Sequence, residues 1–127
     1  MKYYVDTSVI IAYVIDSDPN HEKAVEVLLD KGDRIISQLT VTELYSVFSR
    51  RVKDEIVVES LVNYSIKKVG VKVERIDFNE VFKKVSEIAP KVKLKTLDLL
   101  HLIISIILNS EILTLDKELE EAYKKMN

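Results

Sequence analysis

The chain has 127 residues, enough for one domain with a substantial core. Its 19 basic and 21 acidic residues leave a net charge of -2, so any surface for a polyanion must be local rather than global. It has no Cys, which excludes disulfide frameworks, thiolate zinc sites and cysteine nucleophiles; two His are too few for a multi-histidine metal centre. Metal chemistry, if present, must use oxygen ligands.

Tyr3–Val5 reads as a short buried strand and Ser8–Ile15 as a helix, ended near Asp16-Ser17-Asp18-Pro19. Asp6 comes too early for the core of a signal peptide. His21–Asp30 has helical periodicity through Ala24, Val25, Leu28 and Leu29, with Gly32 as the expected stop. Arg34–Ser37 is a second strand. Thr40–Arg51 is a helix opening on a capping-box pattern, Thr40 with Glu43. Glu55–Val69 is a longer helix stopped at Gly70, and Val71–Ile76 is a third strand. Phe78–Ile88 is a helix ended by Pro90, followed by a basic loop, Lys91–Lys95. Leu97–Leu108 is very apolar, but it is too short to span a bilayer and carries an acid and a His, so it reads as a buried helix. After a turn at Asn109-Ser110 come a last strand, Ile112–Thr114, and a terminal helix, Lys117–Lys125. No membrane association is expected, and a cytoplasmic location is the default.

The strands are apolar runs that alternate with helices. This pattern predicts an α/β fold: a small parallel sheet of four or five short strands, flanked by helices on both faces. No repeat or linker interrupts it, so residues 1–127 read as a single domain.

The acids stand at the junctions of the apolar segments. Asp6 and Asp116 each follow a strand and precede a helix, Asp98 lies in a first helical turn, and Glu43 falls at the third position of the capping pattern. Singly, each has an ordinary role as a helix cap or as a partner of the helix dipole. Together they fit a second pattern. In an open parallel sheet, ligands bind beyond the carboxyl ends of the strands, where the strand order reverses. If the strands before Asp6 and Asp116 are neighbours, the two carboxylates face one crevice. Clustered carboxylates repel, and a hard divalent cation relieves that repulsion. Oxygen-only ligation favours Mg²⁺ or Mn²⁺.

The set VDTSVIIAY, TVTELYSVF, KTLDLLHLIISI and EILTLDKEL, in this order, resembles the PIN domain, and more narrowly the VapC-type ribonuclease toxins of toxin–antitoxin modules. The resemblance covers nearly the whole chain. It implies the fold inferred above and Mg²⁺- or Mn²⁺-dependent hydrolysis of RNA phosphodiester bonds. By the family pattern Asp6, Glu43 and Asp98 match three acids and Asp116 a fourth, as catalytic and metal-binding residues. Ser8 matches the hydroxyl residue after the first acid and Thr114 the one before the last, as groups that hold the carboxylates. The implied partners are an RNA substrate, a cognate antitoxin protein and a second copy in a homodimer. Arg50, Arg51, Lys93 and Lys95, with Lys53 and Lys91 nearby, are candidates for backbone contacts to RNA. His101 matches a family His, for which a packing or hydrogen-bonding role is expected rather than a catalytic one. Asp77 is expected only to cap a helix. His21 reads as a surface residue.

Three alternatives are kept open. A haloacid-dehalogenase-like phosphatase needs an Asp where the chain has Ser8, and a receiver domain needs an acidic pair after the first strand, where this chain has one acid. A non-catalytic PIN-like module for RNA or protein binding would be expected to lack one or more of the four acids.

Overall fold

In the computed structural model, which describes residues 1–127, four parallel strands form one sheet. In chain order the elements are β1 (Lys2–Val5), α1 (Thr7–Val14), α2 (His21–Leu28), β2 (Arg34–Ile36), α3 (Gln38–Arg51), α4 (Glu55–Val69), β3 (Lys72–Val73), α5 (Phe78–Val92), α6 (Thr96–Ile107), β4 (Ser110–Leu113) and α7 (Lys117–Met126). The strand order is β3-β2-β1-β4. Register pairs Tyr4 with Ile35 and Ile112, and Val5 with Leu113.

Successive strand residues point to opposite faces, and each face has its own apolar cluster. Val5, Ile36 and Leu113 pack with α1 to α4, through residues such as Val9, Ala24, Leu44 and Val62. Tyr4, Ile35 and Ile112 pack with α5 to α7, through Val81, Leu102, Ile103 and Leu119. Both faces are therefore covered, which is why the strands read as continuous apolar runs. The path from β1 through β3 moves one way across the sheet, and β4 returns to the far side of β1. Right-handed crossovers then put the first four helices on one face and the next two on the other. The reversal lies between β1 and β4, so the crevice opens where Asp6 and Thr114 leave the sheet.

Several boundaries differ from expectation, each for a local reason. α3 starts at Gln38, two residues before the expected Thr40, with Ser37 as its cap residue. Thr40 is therefore inside the helix and the capping box with Glu43 does not form. α5 runs through Pro90 to Val92 rather than ending at Ile88. Pro90 cannot donate to the preceding turn, yet Ala89 and Val92 pack against the α6–α7 cluster and Lys93 N–H donates to Ala89 O at 3.0 Å. The basic loop thus shrinks to Lys93–Lys95, with Lys93 in the left-handed region at φ +54. Only Lys72–Val73 of the third segment is strand, because β3 pairs with β2 alone at the sheet edge. α2 ends at Leu28, and Asp30 rather than Gly32 takes the positive φ after it. Gly70 does stop α4, in a left-handed conformation that a side chain disfavours. Ser110, expected in a turn, begins β4.

α6 is buried nearly all round, with Leu99, His101, Leu102, Ile103, Ile104 and Ser105 in the interior. That accounts for its apolar sequence without a bilayer. No helix is long and apolar enough to cross a membrane.

Candidate active site

Asp6 is the first residue beyond β1, and its N–H donates to Leu113 O at 2.9 Å, extending the β1–β4 ladder by one rung. Thr114 therefore stands beside it. The Thr114 hydroxyl donates to Asp6 Oδ2 at 2.8 Å and the Ser8 hydroxyl donates to the same oxygen at 2.7 Å. The two hydroxyls also accept, Thr114 Oγ1 from Asp116 N–H at 3.0 Å and Ser8 Oγ from Leu115 N–H at 3.4 Å. The strand-end motifs around Asp6 and Asp116 are thus tied together across the switch point. Asp6 begins α1 by backbone, but its side chain makes no capping bond. The residue is 6% exposed, and its carboxylate is held by hydroxyls instead.

Asp116 does cap: its Oδ1 accepts from the N–H groups of Glu118 and Leu119 at 2.9 and 3.5 Å. Asp98 lies in the first turn of α6, where its charge meets the positive dipole end. Its carboxylate has no hydrogen-bond donor. Burial raises the Asp98 carboxyl above its ordinary value, and the charges of Asp6 and Asp116 push it further the same way. Glu43, one turn into α3, accepts from the Thr7 hydroxyl at 2.8 Å and is hydrogen-bonded to His101 Nε2. Burial opposes its ionisation, but the bond to His101, the attraction of that ring and the Thr7 bond together hold it below the usual carboxylate range.

His101 is buried and joins Tyr4 as well: its Nδ1 lies 2.7 Å from the Tyr4 hydroxyl. Ser37 Oγ and Thr40 Oγ1 reach that hydroxyl at 2.8 and 3.2 Å. Burial drives the Tyr4 phenol well above its ordinary value, despite these two hydroxyls, and the charges of Asp6 and Glu43 act in the same direction, so it stays protonated.

Asp6, Glu43, Asp98 and Asp116 line one open cleft of about 470 Å³. Thr7, Ser8, Asp18, Asn20 and Arg51 border the same cleft. A donor set of hard oxygens, with like charges raising Asp98, suits a divalent cation. The acids do not converge into a group of three at ligating distance.

The basic candidates separate. Arg51 borders the acids. Arg50 lines a neighbouring depression with Thr42, Ser46 and Leu97, on the other side of Glu43. Lys93 lines a third, beside Glu118 and Glu121, and Lys95 is exposed at the start of α6. Asp77 caps α5 through Asn79 N–H at 2.9 Å and lines none of these hollows. His21, expected at the surface, is half-buried because its Nδ1 donates to the Ala12 carbonyl at 2.9 Å. The sequence reading missed Thr7, Tyr4, Ser37, Thr40, Asp18 and Asn20. Only Thr7 had a visible signal, as a hydroxyl between the paired residues Asp6 and Ser8.

Fold and site together define a three-layer α/β protein with a carboxylate cleft at the switch point of a four-stranded parallel sheet. The chain belongs to the PIN domain family, whose model matches residues 3–125. Its fold is shared by VapC20 of Mycobacterium tuberculosis, a toxin that cleaves the sarcin–ricin loop, at a TM-score of 0.73 and 15% identity over 94% of each chain. VapBC2 of Rickettsia felis, in a structure bound to a DNA fragment from its promoter, matches at a TM-score of 0.70 and 17% identity, over 96% of this chain and 93% of that one. No curated protein gives a significant sequence match.

Proposed function

We propose that residues 1–127 form one PIN-type unit that acts as a Mg²⁺- or Mn²⁺-dependent endoribonuclease, the toxin of a VapBC-type toxin–antitoxin pair in the cytoplasm. The observation that carries this reading is the convergence of Asp6, Glu43, Asp98 and Asp116 on one cleft at the β1–β4 reversal. Membership of the PIN domain family and the shared fold of two toxin-system proteins support it.

In this reading Asp6 and Asp98 hold the principal cation, directly or through water. Glu43 shares that ion or orients the attacking water, and Asp116 helps hold a second one. When bound, the cation supplies Lewis-acid activation of water and neutralises charge developing on phosphorus. Ser8 and Thr114 fix the Asp6 carboxylate by binding one of its oxygens. Arg51, the cation that borders the acids, meets a backbone phosphate of the RNA and orients it without reading sequence. Arg50, Lys93 and Lys95 serve flanking phosphates.

The proposed assembly is a homodimer that also binds an antitoxin segment. Tyr45 and Tyr64 on α3 and α4 are exposed, and a hollow of about 300 Å³ between these helices is lined by Tyr45, Val52 and Val58. The deciding experiment is cleavage of RNA by protein purified free of host ribonucleases. Cleavage restored by Mn²⁺ after chelation is expected, and no cleavage of any RNA with saturating Mn²⁺ would remove the enzymatic reading. A monomeric mass across a wide concentration series would remove the dimer.

A further inference from the structure

Tyr4, Ser37, Thr40 and His101 form a buried polar chain that the chemistry above does not use. None is more than 1% exposed. Such a chain is costly to bury unless every member is bonded, and here no buried side-chain nitrogen or oxygen lacks a partner. Its far end is Glu43.

Hydrogen-bond direction follows from what each atom can donate. As a carboxylate, Glu43 only accepts. His101 Nε2 must therefore carry the proton of their bond, and the Thr7 hydroxyl donates to the same oxygen, Oε1. Oε2 receives no hydrogen bond and is not sealed from solvent. The ring cannot turn to reach it, because Tyr4 holds Nδ1 at 2.7 Å and lies against the imidazole with centroids 5.6 Å apart. Ser37 and Thr40 in turn fix the Tyr4 oxygen. Asp6 and Asp116 show the same division, with two donors on one oxygen and none on the other. Their donors are local or on the adjacent strand end. Glu43 differs in being held by a chain that crosses from β1 to α6.

We propose that Tyr4 and His101 are positioning residues for Glu43: they pin its Oε1 and leave Oε2 as the single oxygen offered to a divalent cation or its water. This rests on the metal-dependent reading above, and the test separates the two. In the full chain, His101→Leu and Tyr4→Phe should each weaken Mn²⁺ affinity, measured by titration of folded protein, by about 10- to 100-fold. RNA cleavage should lose kcat with little change in KM. His101→Gln puts an amide donor near the Nε2 position and should recover most of the affinity. A purely structural chain predicts something else: lower melting temperatures with Mn²⁺ affinity unchanged, and that result overturns the proposal. Should His101→Leu fail to fold, Thr7→Val removes the other donor to Oε1 and should weaken Mn²⁺ binding in the same way; unchanged affinity there also overturns it. A second readout needs no metal. In chelator, the His101 Nε2 proton should be protected from exchange in the parent and exposed to it in Tyr4→Phe. Equal protection in both overturns the positioning of the ring by Tyr4. A parent that binds no Mn²⁺ defeats the metal-dependent reading, and the ring proton still decides whether Tyr4 and His101 position Glu43.

Discussion

Asn in place of Asp6 sets a helix-capping role against a cation-binding one. Asn caps about as well as Asp, and Asp6 makes no side-chain cap bond in any case. What changes is the charge on a buried residue, 6% exposed, whose carboxylate accepts two hydroxyl bonds at 2.7 and 2.8 Å. Bonds to a charged acceptor contribute about 1.5 to 3 kcal/mol each and neutral ones about 0.5 to 1.5, so roughly 2 kcal/mol is lost over the pair. Against this, Asp6 and Asp98 no longer repel: burial is the main cause of the raised Asp98 carboxyl, and the Asp6 charge pushes it the same way. A buried charge also disappears. The two sides nearly cancel, and metal-free Asp6→Asn should melt within about 5 °C of the parent. To keep accepting from Ser8 and Thr114, the amide must put its oxygen at the Oδ2 position. Its NH₂ group then takes the free position and presents donors where a cation needs an acceptor. Added Mn²⁺ should therefore raise the melting temperature of the parent and not of the variant, because only the parent's folded state binds the ion. RNA cleavage should fall by orders of magnitude. The assay is a melt in chelator and in saturating Mn²⁺, with cleavage followed on the same samples. An equal Mn²⁺ shift in both proteins, with near-parental cleavage by the variant, would refute the reasoning.

The layered architecture was legible because strands covered on both faces must be apolar throughout. Tyr3–Val5 and Ile112–Thr114 show that directly, and both lie in or beside observed strands. Asp6 and Asp116 were legible because each follows an apolar run where the chain leaves the sheet. The reading of Glu43 as half of a capping box was wrong, and the reason is tertiary. α3 gains its first turn from Ser37 and Gln38, and the Thr40 hydroxyl is used by Tyr4 on β1. Tyr4, Ser37 and His101 lie 33 to 97 residues apart in sequence, so no local pattern marks them as partners. Tyr4 looks like any aromatic strand residue until its hydroxyl is traced. β3 is shorter than its apolar segment suggests, because at a sheet edge only a short stretch pairs, and Val73 is left partly exposed. Pro90 does not end α5, because the cost of a missing N–H near a helix end is offset by packing of Ala89 and Val92.

Asp77→Asn is the internal control: it alters a cap outside the cleft, so melting and metal-dependent cleavage should both match the parent, and loss of cleavage would show that more than the cleft acids matters. Arg51→Ala should raise KM for RNA and reduce the slope of log affinity against log salt by about 1, while Lys93→Ala, in a separate depression, should do less; equal effects would place RNA elsewhere. The last prediction uses two carboxyls shifted in opposite directions, both measured in chelator. Asp98 is raised from 3.8, so its contribution to stability is present below that value and is lost as pH rises through the folded value. Asp98→Asn should accordingly gain stability relative to the parent as pH rises from acid toward neutral. Glu43 is lowered from 4.5, so its contribution is present above that value and lost as pH falls through the folded value. Glu43→Gln should be less stable than the parent at neutral pH, by an amount that shrinks on acidification. The two difference curves should therefore slope in opposite senses across the acid range. Parallel curves, read from thermal melts at stepped pH, would mean that the acids do not sense one another and His101 as the structure has them.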